Sequence, residues 1–463
     1  MTTESPTDIS RVITPVVLGE PRTSRDVSPL VGVHGEVLAD VQGAPRLLAQ
    51  SVLRRVRQSA DGEPPPAKVL AHAGELFATE TLEGQSPQQY VTSVAYSAGL
   101  PITFAWDACQ GLRSVLGDIE RLNRRDFPGP AESAGSRTEW LPAGRVFAHV
   151  ASLGKAPGPN AEWLRALSLG YSIVMRPGLR DPFTARRLVA ALLAAGVPGH
   201  QLTLLPGEDE MAHGLVRDAD RAALFGSEEK VRPWRANKNV DVHGVGRSKL
   251  VIDHLPDEAD LDFLAESIAA EGGIRCDCTS VVLTTEDPAE VAEILAERLA
   301  ALPPGPVPDP AARLPLIAAA AADGTRKQLF GLAEGLTDHS TPRYGGDPLV
   351  AHADSSHTVR PTVLSTRDGD HPTVGTELVY PFVVVAPWNY QDGVTHLRDS
   401  LALTFLTDPE RTAPLLRRAA AEPSIRQVFV GRVPPWRPHP DVPDHTLAAL
   451  LVEPKKVVGR VTA

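Results

Sequence analysis

Cysteine is scarce in this sequence of 463 residues, which contains Cys109, Cys276 and Cys278 and no others. Three cysteines cannot build a disulfide framework, and the pair at 276 and 278 is too closely spaced for an easy bridge. We therefore expect reduced thiols, and each thiol has to be judged from the residues around it.

The sequence also lacks a long apolar run, a signal pattern and an excess of positive charge. It has no stretch of roughly eighteen apolar residues to span a membrane, and its first ten residues carry Glu4 and Asp8 instead of a basic-then-apolar pattern. A net charge of −11 argues against nucleic acid or an anionic membrane as a partner. These absences predict a soluble, cytoplasmic protein that acts on a small molecule, and a length of 463 residues allows two or three domains.

A glycine fingerprint of the form GxGxxG after a strand is missing as well. From Arg145 onward, however, strand-like and helical segments alternate, which is typical of parallel strands joined by crossover helices. The strand-like segments are 146–151, 171–175 and 201–205, and the helical ones are 162–169 and 182–195. We expect an α/β protein of the dinucleotide-binding type that holds any cofactor without that fingerprint.

The most informative stretch surrounds Cys276. An amphipathic helix over residues 261–268 runs towards the paired glycines Gly272 and Gly273, so Cys276 is expected at a junction between elements, where reactive thiols are displayed. Arg275 would lower the pKa of a neighbouring thiol, whereas Asp277 would raise it. The stretch alone leaves open a nucleophile, a small buried core cysteine and a CxC metal half-site.

Two further stretches carry candidate site residues. The turn Phe225-Gly226-Ser227 precedes the densest basic cluster of the chain, and a Gly-Ser turn that opens a helix can bind a phosphate. The alternative is that the cluster is a solvated charged face. His243 lies in a glycine-rich run, residues 241–248, where it is either a titratable group in a cleft or a structural histidine.

The two ends of the chain carry weaker signals. Residues 11–125 predict a strand-poor opening followed by helices, and the segment 127–138 predicts a loop or hairpin. Trp140 and Leu141 could begin a strand that reaches another subunit or stays local. The apolar run of residues 447–452 predicts a terminal strand that pairs within the fold or across an oligomer interface.

Taken in order, these stretches resemble the aldehyde dehydrogenase superfamily over roughly residues 20–460. The segment from Phe147 to Arg176-Pro177 resembles the run from the oxyanion asparagine to the Lys-Pro at the adenine ribose, and Phe225-Gly226-Ser227 resembles the phosphate turn. Residues 243–248 resemble the Glu-Leu-Gly-Gly-Lys-Ser motif. Residues 273–276, ending 33 residues after His243, resemble the Gly-Gln-x-Cys nucleophile motif, and residues 377–382 resemble Glu-x-Phe-Gly-Pro.

One segment is closest in character to the long-chain acyl-CoA reductase branch, the bacterial bioluminescence fatty-acid reductase type. His149-Val150 with residues 154–158 resembles its His-Val-x-x-Gly-Asn-x-Pro-Gly, and Lys155 takes the place of the asparagine. The resemblance implies two Rossmann-like parallel-sheet domains and a homo-oligomer. It implies a cofactor domain over 1–126 and 146–245, a catalytic domain over 246–444 with Cys276, and oligomerisation or bridging segments at 127–145 and 445–463.

The resemblance also implies roles for individual residues. Cys276 would be the nucleophile and Lys155 an oxyanion donor, while His243 stands where hydrolytic members keep a general-base glutamate. The implied cofactor-binding residues are Arg176, Pro177, Phe225, Gly226, Ser227 and Glu377, joined by Arg180. Two residues after Pro177, where NAD-preferring members often have an acidic residue, this sequence has Leu179, followed by Arg180. Without a carboxylate to repel a 2′-phosphate, NADP(H) is favoured and NAD(H) is possible. No metal is implied.

The function that follows from this resemblance is reduction of an activated carboxylic acid to the aldehyde. The acyl-CoA, other thioester or acyl-adenylate would pass through an acyl-cysteine at Cys276, with NAD(P)H as reductant and an acyl-activating enzyme as a possible partner. Two alternatives stay open. One is an NAD(P)+-dependent aldehyde dehydrogenase, and the other is a degenerate, non-catalytic family member that serves as a subunit.

Overall fold

The computed structural model describes residues 11–151 and 158–458, apart from 128, 130, 134–135, 438, 440–441 and 444. Five short strands open it, where the sequence predicted few: β1 (Arg11–Ile13), β2 (Val16–Val17), β3 (Glu20–Pro21), β4 (Val27–Val31) and β5 (Val37–Gln42). Five helices follow as expected: α1 (Arg46–Ser59), α2 (Ala67–Thr79), α3 (Pro87–Ala98), α4 (Ile102–Gly117) and α5 (Ile119–Asp126). The first three strands were missed because strands of two or three residues are too short to show a period.

The alternating region forms the first of two seven-stranded sheets. Its parallel strands are β8 (Val146–Val150), β9 (Ser172–Arg176), β10 (Leu202–Leu204), β11 (Arg221–Phe225) and β12 (Val240–His243). Its helices are α6 (Gly158–Ser168), α7 (Pro182–Ala195), α8 (Asp209–Asp218) and α9 (Glu228–Val231). The order is β12-β11-β8-β9-β10-β2-β3, so the strand order reverses between β8 and β11. A reversal of this kind opens a crevice at the carboxyl ends of the strands, which is where ligands bind in such sheets.

Local sequence signals explain why these elements begin and end where they do. Helix α7 starts where the Asp181 carboxylate accepts the N–H of Thr184 at 2.9 Å and Pro182 occupies the first turn, and it ends at Gly196 in a left-handed conformation, φ 100°. Strand β8 is buried along its whole length, as a strand covered on both faces requires.

The second seven-stranded sheet has the order β16-β19-β20-β14-β13-β21-β22. Its strands are β13 (Ser248–Ile252), β14 (Thr279–Thr284), β16 (Thr337–Asp338), β19 (Thr362–Ser365), β20 (Phe382–Pro387), β21 (Ser400–Leu406) and β22 (Ile425–Val430), with helices α10 (Glu258–Ala269), α11 (Pro288–Ala300), α12 (Ala319–Leu332) and α13 (Pro409–Ala421). A small antiparallel sheet joins β15 (Leu316–Ala318), β18 (Ser356–Val359) and β17 (Leu349–Ala351). Only four residues separate β12 from β13. The carboxyl edge of the first sheet therefore faces the amino edge of the second.

The predicted hairpin is present as β6 (Ala131–Ser133) and β7 (Ser136–Pro142). Strand β7 pairs antiparallel with β23 (Val452–Val458) of the same chain. The prediction of a strand from 447 was wrong for its first part, because residues His445–Leu451 form helix α14. Leu447, Leu450 and Leu451 are buried together at helical spacing, and that packing decided the conformation of an apolar run too short to classify from its sequence.

No helix of the described residues is long and apolar enough to cross a membrane. The apolar core lies on both faces of each large sheet, with Trp163 and Phe147 fully buried in the first and Phe405 fully buried in the second.

Candidate active site

Cys276 lies where the sequence places it, between α10 and β14. The helix ends at Ala269, and the turn that follows contains three successive left-handed residues, Glu271 (φ 49°), Gly272 (φ 77°) and Gly273 (φ 73°). A Cβ at Gly273 would come within 2.5 Å of the backbone nitrogen of Pro381, so glycine is needed for this close approach. Cys276 is half-buried, whereas Cys278 is 5% exposed and packs into the core of the second sheet. The two thiols therefore have different surroundings.

The charge of Arg275 is offset within its own loop. Its guanidinium donates to both carboxylate oxygens of Asp277, at 2.8 and 2.7 Å, and to Glu271 at 2.9 Å. Burial disfavours the charged form, but these two carboxylates outweigh it and raise the pKa of Arg275. A cation bonded to two carboxylates leaves little net positive field for a neighbouring thiolate, so Arg275 does not supply the activation that the sequence suggested.

Cys276 borders a cleft of about 360 Å³ between the two large sheets. Its other walls are the connection from β12 to β13, the amino ends of β21 and β22, and residues near α9. The residues of these walls are Glu228, Arg235, Val242, His243, Gly244, Val245, Gly246, Arg247, Asp399, Ser400, Leu401, Pro423, Ser424 and Arg426. His243 and Cys276 thus share one cleft, as a common site requires.

Gly246 brings the cleft wall directly against Cys276. A Cβ on Gly246 would lie 2.8 Å from the carbonyl carbon of Cys276, closer still to its oxygen, and 3.3 Å from Glu377 Oε2. The same Glu377 oxygen accepts the backbone N–H groups of Gly246 and Arg247, at 2.7 and 2.8 Å. Glu377 is thereby fixed beside the Cys276 loop by two charge-assisted hydrogen bonds.

His243 is held between two carboxylates. Its Nε2 lies 3.0 Å from Glu162 Oε1 and 3.0 Å from Asp241 Oδ2. Burial disfavours the imidazolium, but Glu162 and Asp241 together raise the pKa of His243 to about 10. At neutral pH the ring is then a cation with no lone pair to accept a proton. This arrangement does not support His243 as a general base.

The same three side chains are the group among the described residues that could hold a metal ion. Glu162, Asp241 and His243 each offer one ligand atom, and these atoms lie within 4.8 Å of one another. The hydrogen bonds and opposite charges already account for their proximity. No metal was predicted, and the cluster is explained as an ion pair network.

Phe225 and Gly226 pack against His243. The Phe225 ring stacks on the imidazole with centroids 4.1 Å apart and planes 9° apart, and the Gly226 N–H donates to the His243 carbonyl at 3.0 Å. Ser227 is exposed and opens α9, a helix of four residues whose first turn holds Glu228 and Glu229. Carboxylates already occupy the positive end of this helix, which makes it less favourable for a phosphate.

Arg176 is directed into the protein. It is 1% exposed, and its guanidinium donates to the carbonyls of Gly207 and Ala151, at 3.0 and 2.6 Å, and to Asp209 at 3.0 Å. Burial lowers the pKa of Arg176, and Asp209 opposes that shift. Pro177 is buried next to it, and Arg180 is exposed three residues further on. The predicted ribose contact therefore falls on a side chain that already binds three protein oxygens.

Lys155 and His149 belong to the segment that resembles the acyl-CoA reductase branch. Lys155 lies outside the described residues. His149 is 2% exposed, and within the described part of the chain neither ring nitrogen has a hydrogen-bond partner. Burial, with repulsion from His243, lowers the pKa of His149 to about 3, so this ring is neutral.

Sequence reasoning missed three residues of the site. Asp241 was detectable, because residues two apart on strand β12 share a face and place it beside His243. Glu162 is separated from His243 by a distance that no local pattern reveals. Lys249 is a buried lysine on β13 whose ammonium donates to the carbonyls of Arg247, Arg398 and Asp399 and to the Ser400 hydroxyl, and burial lowers its pKa to about 8.

The site thus lies between two α/β sheets, where half-buried Cys276 lines the cleft and Glu377 is hydrogen-bonded to the cleft residues Gly246 and Arg247. The sequence model of the aldehyde dehydrogenase family matches residues 95–401. The chain therefore belongs to the aldehyde dehydrogenase family, a family of oxidoreductases that act on aldehydes.

Characterised relatives match over part of their length. N-succinylglutamate 5-semialdehyde dehydrogenase of Chromohalobacter salexigens is 28% identical over 210 residues, 41% of this chain and 42% of that protein. Malonate-semialdehyde dehydrogenase 2 of Geobacillus thermodenitrificans is 32% identical over 143 residues, 29% of each protein. The matches thus span less than half the length of these relatives.

Solved structures match over nearly the whole chain. An indole-3-acetaldehyde dehydrogenase in complex with NAD+ superposes with a TM-score of 0.80, 18% identity and 98% coverage of both chains. A 3,6-anhydro-L-galactose dehydrogenase in complex with NADP superposes with a TM-score of 0.79 and 19% identity over 97% of this chain and 100% of that one. At these identities the likeness establishes the α/β aldehyde dehydrogenase fold with its parallel-sheet domains.

Proposed function

We propose that the protein is an NAD(P)+-dependent dehydrogenase that oxidises an aldehyde through a covalent intermediate on Cys276. The observation that carries the proposal is that half-buried Cys276 lines a cleft between two α/β sheets, with Gly246 packed against its carbonyl and Glu377 hydrogen-bonded to Gly246. The relatives named above as semialdehyde dehydrogenases support oxidation over reduction of an activated acid.

In this proposal the thiolate of Cys276 adds to the aldehyde carbon to give a thiohemiacetal. A nicotinamide dinucleotide, when bound, would supply the hydride acceptor that converts this adduct to an acyl-cysteine. A backbone N–H of the Cys276 loop and Lys155 are the proposed donors to the oxyanion. Glu377, already oriented by two backbone N–H groups, is the proposed acceptor for the hydroxyls of the nicotinamide ribose. A carboxylate fits that end of the cofactor, because a diol donates to it.

At the other end the residues fit a dinucleotide less well. Arg176 is enclosed by protein oxygens, and the helix after Ser227 starts with two glutamates. We assign Phe225, Gly226, Ser227, Pro177 and Arg180 to this end as proposals. The exposed Leu179 and Arg180 replace the acidic residue that would repel a 2′-phosphate, which favours NADP over NAD.

The state of His243 favours a second candidate for the fate of the acyl group. An imidazolium bonded to Glu162 and Asp241 has no lone pair with which to activate water, and an acyl-cysteine that is not hydrolysed is released by exchange with another thiol. In reverse, that exchange is the entry step for reduction of an acyl-CoA or other activated acid by NADPH, with an acyl-activating enzyme as the supplier. The poor fit to a dinucleotide at Arg176 and Glu228 favours the third candidate, a non-catalytic subunit.

We extend the proposal to organisation. A cofactor domain over 1–126 and 146–245 contains all seven strands of the first large sheet, and a catalytic domain over 246–444 contains the second. The three-stranded sheet β23-β7-β6, within 127–145 and 445–463, ends in the edge strand β6 and is the proposed contact for a homo-oligomer. Sedimentation of the purified protein would test this, and a monomer at all concentrations would contradict it.

The test of the function is a turnover assay on matched cysteine variants. The protein is incubated with NADP+ or NAD+ and a panel of aldehydes that includes malonate semialdehyde, with and without coenzyme A, while reduced nicotinamide is followed by absorbance. We expect Cys276→Ala to abolish turnover and Cys278→Ala to retain it, because only Cys276 reaches the cleft. Turnover only with coenzyme A would support the thiol-exchange candidate.

The reverse assay separates the remaining readings. Consumption of NADPH with acyl-CoAs, and no aldehyde oxidation, would overturn the proposal in favour of the reductase. Absence of NAD(P)(H) binding by calorimetry, with no effect of Cys276→Ala, would support the non-catalytic subunit.

A further inference from the structure

Three arginines line the cleft beside Cys276, namely Arg235, Arg247 and Arg426. The carboxylates on the same walls are Glu228 and Asp399, while the carboxylates of Glu162 and Asp241 offset the charge of the His243 imidazolium. In a cleft whose charges nearly balance, an anionic ligand is attracted to an arginine that has no carboxylate partner of its own.

The three arginines differ in what they already bind. Arg235 donates to Glu228 at 2.7 Å, and Arg426 donates to Asp241 at 3.4 Å. Within the described part of the chain, no protein acceptor takes a hydrogen bond from the Arg247 guanidinium. Arg247 is therefore the cation of the cleft whose planar set of donors is available to a ligand.

The backbone of Arg247 is fixed next to the nucleophile. Its φ of 47° is left-handed, its N–H donates to Glu377 at 2.8 Å, and its carbonyl accepts the buried ammonium of Lys249 at 3.2 Å. On either side, Gly246 packs against the Cys276 carbonyl and the Ser248 hydroxyl donates to it at 3.2 Å. Residues held in such strained conformations cluster at ligand sites, and a fixed starting point lowers the cost of ordering the side chain.

We propose that Arg247 is an anion-binding residue of the active-site cleft, which holds a carboxylate or phosphate of the ligand while Cys276 faces its carbonyl carbon. The role of the anion in a reaction at Cys276 rests on the proposed function. The binding of the anion by Arg247 does not, because it can be measured without turnover. Two ligands could supply the anion: a carboxylate at the far end of the substrate, or a phosphate of the dinucleotide.

The test is calorimetric binding to the full-length Cys276→Ala protein, in which turnover cannot occur. The probes are succinate, its neutral counterpart succinamide, inorganic pyrophosphate and NADP+. Each is measured with the Cys276→Ala protein, and with the same protein carrying Arg247→Gln, Arg247→Lys or Arg54→Gln. Arg54 is an exposed arginine of α1 outside the cleft and serves as the matched control.

We expect Arg247→Gln to lower the affinity for the anion that Arg247 binds by roughly tenfold or more, because a charge-assisted hydrogen bond is lost. Arg247→Lys should lose less, because it keeps the charge, and Arg54→Gln should lose nothing. An effect on succinate but not on pyrophosphate or NADP+ identifies the substrate carboxylate as the source. An effect on pyrophosphate and NADP+ identifies the cofactor phosphate.

The inference is overturned if the affinities of succinate, pyrophosphate and NADP+ are the same with and without both Arg247 substitutions. It is also overturned if succinamide binds as tightly as succinate while pyrophosphate and NADP+ are unaffected. Unfolding midpoints of all variants control for folding, and Arg247→Lys carries the test if Arg247→Gln unfolds. Arg247-dependent binding without any aldehyde oxidation in the wild-type protein would leave this inference standing and remove the proposed function.

Discussion

Gly246→Ala is the substitution for which the structure gives the sharpest expectation. The added Cβ would lie 2.8 Å from the Cys276 carbonyl carbon, whereas carbon atoms that are not bonded approach to about 3.5 Å. The carbonyl carbon and oxygen of Cys276 are backbone atoms, so the clash cannot be relieved by the rotation of a side chain. The Cys276 loop or the start of β13 must therefore move by roughly 1 Å, which also stretches the 2.7 Å hydrogen bond from Gly246 to Glu377.

A displacement of that size at the reacting group costs on the order of a hundredfold in turnover. Overpacking of this kind destabilises the fold by about 1–3 kcal/mol. The assays are kcat/KM with the best aldehyde, the rate of Cys276 alkylation followed by mass spectrometry, and denaturant unfolding. Gly324→Ala is the matched control, because a Cβ there meets no atom within 4 Å and alanine favours its helix. Wild-type turnover and alkylation in Gly246→Ala would refute the reasoning.

The remaining predictions concern three side chains around the same cleft. The pKa of His243 is raised to about 10 despite burial, so the stability that it contributes is fully present below its unfolded pKa of about 6.5 and is lost as pH rises through 10. We expect His243→Gln to lower the free energy of unfolding by a few kcal/mol at pH 6 and by much less at pH 10, and an equal loss at both would contradict the ion pair. Glu377→Gln keeps an acceptor for the N–H groups of Gly246 and Arg247 but loses the negative charge. The KM for the dinucleotide should therefore rise about tenfold, with a small change in the unfolding midpoint. An unchanged KM would remove Glu377 from the cofactor site. Cys278→Ala should cost about 1 kcal/mol of stability, since the side chain is small and buried, and should leave turnover in place; lost turnover in a folded variant would mean that the two thiols are not separable.

Much of the fold was readable from local patterns. The helices α6, α7 and α10 and the strands β8, β9 and β10 lie close to where apolar periodicity and turn residues predict them. Where the prediction failed, as at His445–Leu451, a short apolar run fitted both a helix and a strand. Tertiary packing made the choice.

For the site, the sequence by itself determined the position of the candidate nucleophile. Two glycines interrupt the chain just after α10, and their left-handed conformations precede a loop that holds Cys276 at the amino edge of the second sheet while Cys278 enters the core. A local conformational preference is encoded in neighbouring residues, so it is visible in the sequence. The same holds for Asp241, which shares a strand face with His243.

Only the tertiary structure decided the charge state of the site. Glu162 meets His243 across 81 positions of the sequence and turns an expected base into a cation, and Asp209 and two carbonyls enclose Arg176. Ion pairs of this kind depend on where distant loops meet, which no periodicity records. The position of Cys276 follows from its neighbours, whereas the chemistry of its cleft follows from residues brought there by the packing of two sheets.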